Sequence, residues 1–307
     1  MRILVTGAHG FVGQTLLPYL ARSFQPVELV IERTDVTDAS AVDALVRRVQ
    51  PDVCVHLAAV STIGSAVQDS THAWAVNLGG TLNLARSVLR HTPQCQFVFA
   101  SSATVYGTSF QAGHSLDETA LLAPENTYAA TKAAADLALH AYAKSGLRAV
   151  RLRLFNHTGP GQPCGFVVPD FAEQVARIAL GRQKPEIHVG NLDVKRDFLD
   201  VRDVCEAYVR VIACRSFLKP QSVFNICSGL AYSIQSILED IIKISRIDAR
   251  ILVDPERVRA HDTPLAVGNH GLASSVLGWQ PSIPWSRTLE DVYNAALSRI
   301  KLAQAEL

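Results

Sequence analysis

The sequence predicts an α/β fold: a Rossmann-type doubly wound parallel sheet carrying a smaller C-terminal α/β substrate lobe. The first observation behind this is local. The strand-like run Arg2-Ile-Leu-Val-Thr6 leads directly into Gly7-Ala-His-Gly10-Phe-Val-Gly13 and then an apolar-periodic stretch to Leu20. A strand, a glycine turn and a helix, in that order, are the setting in which spaced glycines bind dinucleotides. The second observation is the recurrence of short apolar runs near 54–57, 96–100 and 149–154, separated by segments of helix length, as alternating parallel strands require. The third is a change of character near residue 160, after which shorter strands and helices interleave. Residues 1–160 are expected to form the dinucleotide-binding domain, parts of 190–225 to return to it, and 161–307 to form mainly the substrate-binding lobe.

The totals narrow the class. The 307 residues suffice for a large domain with a lobe. With 29 basic and 28 acidic residues, nothing asks for nucleic acid or an anionic membrane. No run of about eighteen apolar residues spans a bilayer, and Ile3-Leu-Val5 breaks at Gly7, too soon for a signal peptide. Six cysteines are scattered without a C-x-x-C pair, so buried reduced thiols are expected, with no metal and no disulfide. A cytoplasmic protein is the expectation.

In the glycine turn, Gly7 permits the tight bend, Gly10 lets a pyrophosphate approach the amides of the helix N-terminus, and Gly13 lets the helix pack closely on the strand. Phe11 and Val12 fall in the same cradle. The spacing is G-x-x-G-x-x-G rather than G-x-G-x-x-G. His9 reads as a solvent-facing loop residue. Pro18 lies inside the predicted helix and is expected to kink it or cost about 3 kcal/mol. The second strand, 27–32, ends at Glu32 and Arg33. An acid there bonds the adenosine ribose 2′-hydroxyl, and an arginine accommodates a 2′-phosphate. With both present, NAD(H) and NADP(H) stay open. Asp35 is a candidate for the adenine, and Asp38 for the cap of a helix over 39–49. The strand Cys54 to Leu57 is followed by Ala58 and Ala59, small enough for a cofactor to lie over the strand end with Leu57. The loop 60–70 leaves the carboxyl end of that strand, where such sheets bind ligands. Ser61 and Thr62 are there as substrate contacts or as plain loop hydroxyls. A long helix, 71–91, carries Asn77 in an apolar stretch. A buried amide needs partners, so Asn77 ties adjacent loops or touches substrate.

The strand Gln96-Phe-Val-Phe-Ala100 ends in Ser101-Ser-Ala-Thr-Val-Tyr-Gly107. Ser102 either donates a hydrogen bond to a substrate carbonyl or caps a turn. After a loop over 108–126, an alanine-rich helix begins near Asn126 or Thr127. Tyr128 and Lys132, four apart, share one of its faces. The ammonium is expected to bring the phenol toward working range as an acid–base group. The strand 149–154 runs into a turn-rich segment, Phe155 to Gly161. Helices over 168–181, 203–214, 234–245 and 286–303, with strands at 186–189 and 223–227, complete the lobe. Arg196 and Arg259 are assigned to a diphosphate, whose oxygens suit guanidinium forks. The alternative for Arg196 is an ion pair with Asp197 or Asp200.

Taken in order, Gly7/Gly10/Gly13, Leu57-Ala-Ala59, Ser101 to Gly107 and Tyr128-Ala-Ala-Thr-Lys132 resemble the extended short-chain dehydrogenase/reductase family. Phe155-Asn-His-Thr-Gly-Pro-Gly-Gln162, Gly165-Phe-Val-Val-Pro-Asp-Phe171, Val189-Gly-Asn-Leu192, Arg196 to Asp203 and Asn225-Ile-Cys-Ser-Gly229 are similar to its GDP-4-dehydro-6-deoxy-D-mannose reductases. The chain departs from their pattern at 22–38, which is shortened, and at 259–264, where Arg-Ala-His-Asp-Thr-Pro stands for Arg-Pro-x-Glu-Val-Pro.

The resemblance implies metal-free, NADPH- or NADH-dependent reduction of the C4 ketone of a nucleotide-linked 4-keto-6-deoxy sugar, GDP-4-dehydro-6-deoxy-D-mannose to GDP-D-rhamnose. It makes Tyr128 the proton donor and gives Lys132 the nicotinamide ribose and the lowering of the tyrosine pKa. Ser102 and Thr104 orient the carbonyl, Asn156 touches sugar or phosphates, and Lys184 is a candidate for guanine. It also implies a homodimer through helices 71–91 and 127–145. A 4,6-dehydratase needs a carboxylate after the catalytic hydroxyl, and Ala103 and Thr104 stand there instead. An NAD-dependent 4-epimerase needs no further group, and a reductase giving the C4 epimer, GDP-6-deoxy-talose, needs the same residues. A non-catalytic nucleotide-binding protein is a third class, against which the intact Tyr128/Lys132 pair speaks.

Overall fold

The computed structural model describes residues 1–257 and 263–305. Its strands, in chain order, begin with β1 (Arg2–Thr6), β2 (Glu28–Val30), β3 (Val53–His56), β4 (Gln96–Ser102), β5 (Arg148–Leu154) and β6 (Asn156–Thr158). They continue with β7 (Glu186–Val189), β8 (Lys195–Asp200), β9 (Val223–Ile226), β10 (Ala231–Ser233), β11 (Arg250–Val253) and β12 (Leu265–Ala266). Six of them form an all-parallel sheet in the order β2-β1-β3-β4-β5-β9. The side chains of a strand alternate between faces, and strands covered on both sides are apolar throughout. Ile3, Val5, Val53, Val55 and Val98 accordingly share one core with Leu16 and Leu20 of helix Phe11–Ser23 and Val204 and Tyr208 of helix Val201–Ala213. Leu4, Cys54, Phe97 and Phe99 point the other way, toward helices Ala39–Val49, Thr81–His91 and Thr127–Lys144. This is the predicted doubly wound sheet. Its strand order reverses between β1 and β3, the point at which such sheets bind ligands.

A third core joins helices Val167–Ala179, Ile234–Ser245 and Trp285–Ala305 through Phe171, Val175, Ile237, Leu238, Leu289 and Val292. β8 is the axis of a second sheet, with β10 antiparallel and β6 and β12 parallel to it, while β11 pairs with β7. No helix among the described residues is long and apolar enough to cross a membrane.

Helix Phe11–Ser23 runs on through Pro18. Two local expectations change. The helix expected over 71–91 is segmented into Ser70–Trp74, a π-helical turn Ala75–Gly80 and Thr81–His91, after a short helix Ile63–Gln68. Gly80 in that wide turn presses so close to the β2 side of the sheet that a Cβ would lie 2.4 Å from Val36 Cγ2. The segment after β5, expected to be turn-rich, also holds β6, whose partner β8 is some forty residues away, outside any local sequence signal.

Candidate active site

β1 and β3 meet at their carboxyl ends so closely that a Cβ on Gly7, at φ +71°, would fall 2.5 Å from Ala58 N. Only glycine fits there. Leu57, Ala58 and Ala59 are half-buried at this junction. Gly10 begins helix Phe11–Ser23, and no side chain caps it, in contrast to Asp38 and Asn126 on helices Ala39–Val49 and Thr127–Lys144. The amides of Phe11, Val12 and Gly13 are thereby left for an anion. A Cβ on Gly10 would meet only Gly7 O, at 3.3 Å. This uncapped, open helix start fits a dinucleotide pyrophosphate. Gly13 corrects the expectation slightly: it packs closely on the turn itself rather than on the strand, and a Cβ there would lie 2.5 Å from Ala8 O. At the end of β2, Glu32 pairs with Arg48 and Arg33 is exposed. Asp35 accepts hydrogen bonds from the backbone and hydroxyl of Thr37 at 2.9 and 2.8 Å, which hold its pKa below the ordinary value.

Helix Thr127–Lys144, capped by Asn126 on Ala129 N, lies along β4. It presents Tyr128, Lys132 and Asp136, one turn apart, to three consecutive residues at the strand's end. The Ser102 side chain acts on the Tyr128 phenol, lowering its pKa against the effect of burial. Lys132 Nζ donates to the Ala100 carbonyl at 2.8 Å and sits 4.9 Å above the Phe99 ring. Ser101 donates to the Asp136 carboxylate at 2.7 Å. The Ser102 hydroxyl also accepts from Thr104, at 3.2 Å from its amide and 2.9 Å from its hydroxyl. The predicted Ser102, Tyr128 and Lys132 are therefore brought together, with Thr104 beside them.

Their electrostatics differ from the expectation. Burial raises the Tyr128 pKa above its usual value, with Ser102 acting in the opposite sense. The Lys132 Nζ is turned to Ala100, and burial lowers its pKa to about 8.

Beneath this set lies a cluster that sequence reasoning missed. Asp136, wholly buried, receives Arg151 Nη1 at 2.8 Å and Arg153 Nε and Nη2 at 3.2 Å. Arg153 continues to the Tyr106 hydroxyl at 3.0 Å, and that hydroxyl donates to Asn225 Oδ1 at 2.7 Å. The signal was present: an acid one turn after Lys132 on an alanine-rich helix, and two arginines in alternation within an otherwise apolar strand. Buried charges of this kind occur paired.

Asn77 is the tie that was one of its two readings. From the π-helical turn it bonds the amide and carbonyl of Val60 at 2.8 and 3.1 Å and Thr131 Oγ1 at 2.9 Å. Thr62 caps helix Ile63–Gln68 through Ser65 N, the plain-hydroxyl alternative, while Ser61 is exposed. Asn156 is exposed at the start of β6, and the next residue, His157, stacks on Phe11 at 6.4 Å between ring centroids. Arg196 donates to the carbonyls of Lys195 and Thr263. Arg259 lies outside the described residues. Lys184 lines a cavity of about 530 Å³ with Asp170, Gln174, Glu186, His188 and Arg257. Cys54, Cys95, Cys205 and Cys227 are buried as expected, but Cys164 is exposed.

A switch-point crevice with a glycine turn on one side and a serine–tyrosine–lysine set on the other is the signature of nicotinamide-dependent short-chain dehydrogenases/reductases. Residues 23–292 match the GDP-mannose 4,6 dehydratase family, and the chain belongs to this extended branch of those NAD(P)-dependent enzymes. It is 35% identical to a GDP-6-deoxy-D-mannose reductase of Pseudomonas aeruginosa over 98% of both chains. It is 31% identical to a GDP-6-deoxy-D-talose 4-dehydrogenase of Aggregatibacter actinomycetemcomitans, covering 98% of this chain and 100% of that one. The solved structure of RMD from Pseudomonas aeruginosa complexed with NADPH superposes with a TM-score of 0.89 at 33% identity, over 97% of this chain and 99% of that one.

Proposed function

We propose that the protein reduces the C4 ketone of GDP-4-dehydro-6-deoxy-D-mannose to give GDP-D-rhamnose. The observation that carries this is the Ser102 hydroxyl at the end of β4, which lowers the Tyr128 pKa against burial and is extended by Thr104 where a dehydratase needs a carboxylate. The name of the 35%-identical relative supports the substrate. A bound nicotinamide supplies the hydride that reduces C4. Ser102 donates a hydrogen bond to O4, polarising the carbonyl and fixing its plane. Tyr128 passes its phenolic proton to the same oxygen as negative charge develops there, completing the alcohol. Its raised pKa keeps that proton in place at neutral pH. Lys132 holds the cofactor ribose, and the charge it brings favours the phenolate once the proton has left. Phe11, Val12 and Gly13 hold the pyrophosphate, with Leu57, Ala58 and Ala59 beneath and Asp35 at the adenine. On the substrate side Asn156, Arg196 and Arg259 meet the sugar and diphosphate, Ser61 lies at the mouth, and Lys184 reaches the base.

The finer organisation follows the same reading. Residues 1–160 with β9 and helix Val201–Ala213 form the dinucleotide domain, and the remainder forms the substrate lobe. A homodimer packs helices Ser70–Trp74, Thr81–His91 and Thr127–Lys144 against their copies, which would cover Trp74 and Leu137, now 40 and 57% exposed. The largely buried, unpaired cysteines suit a cytoplasmic protein.

Nicotinamide absorbance tests the activity, with GDP-4-dehydro-6-deoxymannose generated from GDP-mannose by a dehydratase. Stoichiometric loss of absorbance is expected. No loss with either cofactor, and interconversion of hexose epimers without added reductant, would replace the reductase by an epimerase. The 31%-identical talose enzyme favours one further reading, delivery of hydride to the opposite face of C4 to give GDP-6-deoxy-talose. NMR of the product distinguishes the two alcohols.

A further inference from the structure

We propose that Arg153 is the positioning residue of the proton-transfer site. It holds both ends and the middle of the segment that carries the Ser102 and Thr104 hydroxyls, and so fixes their aim at the substrate carbonyl. The proposal rests on the reading of Ser102 and Tyr128 given above.

Ser102 is the last residue of β4, and Thr104 lies in the 3₁₀ turns over Ala103–Ala112 that follow it. Turns of this kind have poor hydrogen-bond geometry and hold a chain weakly. The fixed points of the segment converge on one guanidinium. At the near end Ser101 donates to the Asp136 carboxylate at 2.7 Å, and Arg153 Nε and Nη2 grip the same carboxylate at 3.2 Å. In the middle, Arg153 Nη1 donates to the Tyr106 hydroxyl at 3.0 Å, two residues beyond Thr104. At the far end the same Nη1 donates to the Glu118 carbonyl at 3.0 Å. Asn225 closes the ring. It accepts from the Tyr106 hydroxyl at 2.7 Å, and donates its amide to Glu118 Oε1 at 2.6 Å and its Nδ2 to the Leu116 carbonyl at 2.9 Å.

Stability does not call for this arrangement. Replacing a buried ion pair by apolar side chains of the same volume is often neutral or stabilising. What the pair adds is direction, because a planar guanidinium fixes its acceptors in angle as well as distance. Arg151 makes the contrast. It shares the Asp136 carboxylate at 2.8 Å and is as deeply buried as Arg153. Beyond Asp136, its bond runs to the Gln221 carbonyl at 2.9 Å, away from the segment. Of the two arginines, only Arg153 reaches the chain that bears the catalytic hydroxyls.

The test compares Arg153→Lys, Tyr106→Phe and Ser101→Ala with Arg151→Lys. Arg153→Lys keeps the buried charge and loses the fork. A misplacement on the order of 1 Å costs about 100-fold in rate, so turnover of the keto sugar should fall about 10- to 100-fold in Arg153→Lys and about 10-fold in the two hydroxyl deletions. KM for the sugar nucleotide and affinity for NADPH should stay within a few-fold. Hydride transfer becomes the slow step, so the isotope effect from deuterium at the transferred position of the nicotinamide should rise, and that ratio does not depend on how much protein is folded. Arg151→Lys should lose stability and leave turnover and isotope effect unmoved. Hydrogen exchange should quicken over 103–118 in the first three variants and stay slow over 132–144. An equal fall in turnover in Arg151→Lys would overturn the proposal and leave the cluster a stabiliser only. Unchanged turnover, or unchanged exchange over 103–118, in Tyr106→Phe and Ser101→Ala would overturn it too. Inactivity of the unaltered protein toward every keto sugar would instead remove the reductase reading, and quicker exchange over 103–118 would still show Arg153 holding the segment.

Discussion

Asp136→Ala is the substitution whose cost the structure specifies most fully. The carboxylate is wholly buried and is the shared anion of Arg151 and Arg153, themselves 4 and 5% exposed. Removing it leaves two guanidinium groups in the interior without their counter-ion. Breaking a buried pair in this way costs about 3–5 kcal/mol, because the surviving charge stays desolvated. Ser101 loses its acceptor as well, adding about 1 kcal/mol for an orphaned hydroxyl. Stabilities of natural domains lie near 5–15 kcal/mol, so the loss is a large fraction of the total. In a protein of this size it lowers Tm on the order of 10 °C. Urea unfolding followed by circular dichroism would measure it, with Asp43→Ala as the control. Asp43 holds the same number of partners, Arg90, His91 and Ser87, at a half-open surface position, and its loss should leave the midpoint nearly unmoved. A drop in Asp136→Ala no larger than the control would show that the arginines find other partners and that the bond from Ser101 to Asp136 adds little.

Further outcomes follow from the catalytic set. Tyr128→Phe should reduce turnover to background while the fluorescence titration of NADPH stays within a few-fold of the unaltered protein; undiminished turnover would remove Tyr128 as the proton donor. Burial puts the Lys132 pKa at about 8, below its ordinary value, so the ammonium is charged below that pH and lost as pH rises through it. Cofactor affinity of the free protein should fall above about pH 8, and Lys132→Met should bind weakly at every pH without that limb; a flat profile in the unaltered protein would argue against a charged Lys132 in cofactor binding. Leu137→Glu places a charge on the exposed apolar face of helix Thr127–Lys144 and should convert a dimer to a monomer in light scattering, whereas an unshifted mass would move the interface elsewhere.

How much of this was legible depends on whether the cause was local. The helix over 39–49 and the strand at 186–189 stand as read, because an Asp38 cap and a run of alternating apolar residues are written within their own few positions. The helix over 234–245 stands for the same reason, with Ser233 as its cap. Ser102, Tyr128 and Lys132 were legible as a motif, and their meeting follows from the start of helix Thr127–Lys144 lying beside the end of β4. The direction of Lys132 was not legible, since its partner is a backbone carbonyl that no sequence names. The segmentation of the helix expected over 71–91 was not read from the sequence. The crowding by Val36 that accompanies the wide turn is a tertiary fact. Asp136 was passed over because an acid on a helix usually faces water. Only Arg151 and Arg153, on a strand fifteen residues away and more, reveal that it does not.

The passage from β5 to β6 has a mechanical consequence. β5 belongs to the large parallel sheet and β6 to the sheet around β8, and a single residue, Phe155, separates them. That residue is buried between Tyr106 and Phe110, with ring centroids 6.4 and 6.1 Å away. A hinge needs slack, and there is none here. To swing away as a rigid jaw, the small sheet must tear the β6–β8 backbone ladder or drag the end of β5, and with it the floor of the catalytic crevice. Opening for a sugar nucleotide is therefore assigned to the loops at the rim, and the two sheets ride as one beam whose stiffness holds the reacting groups in register through each turnover.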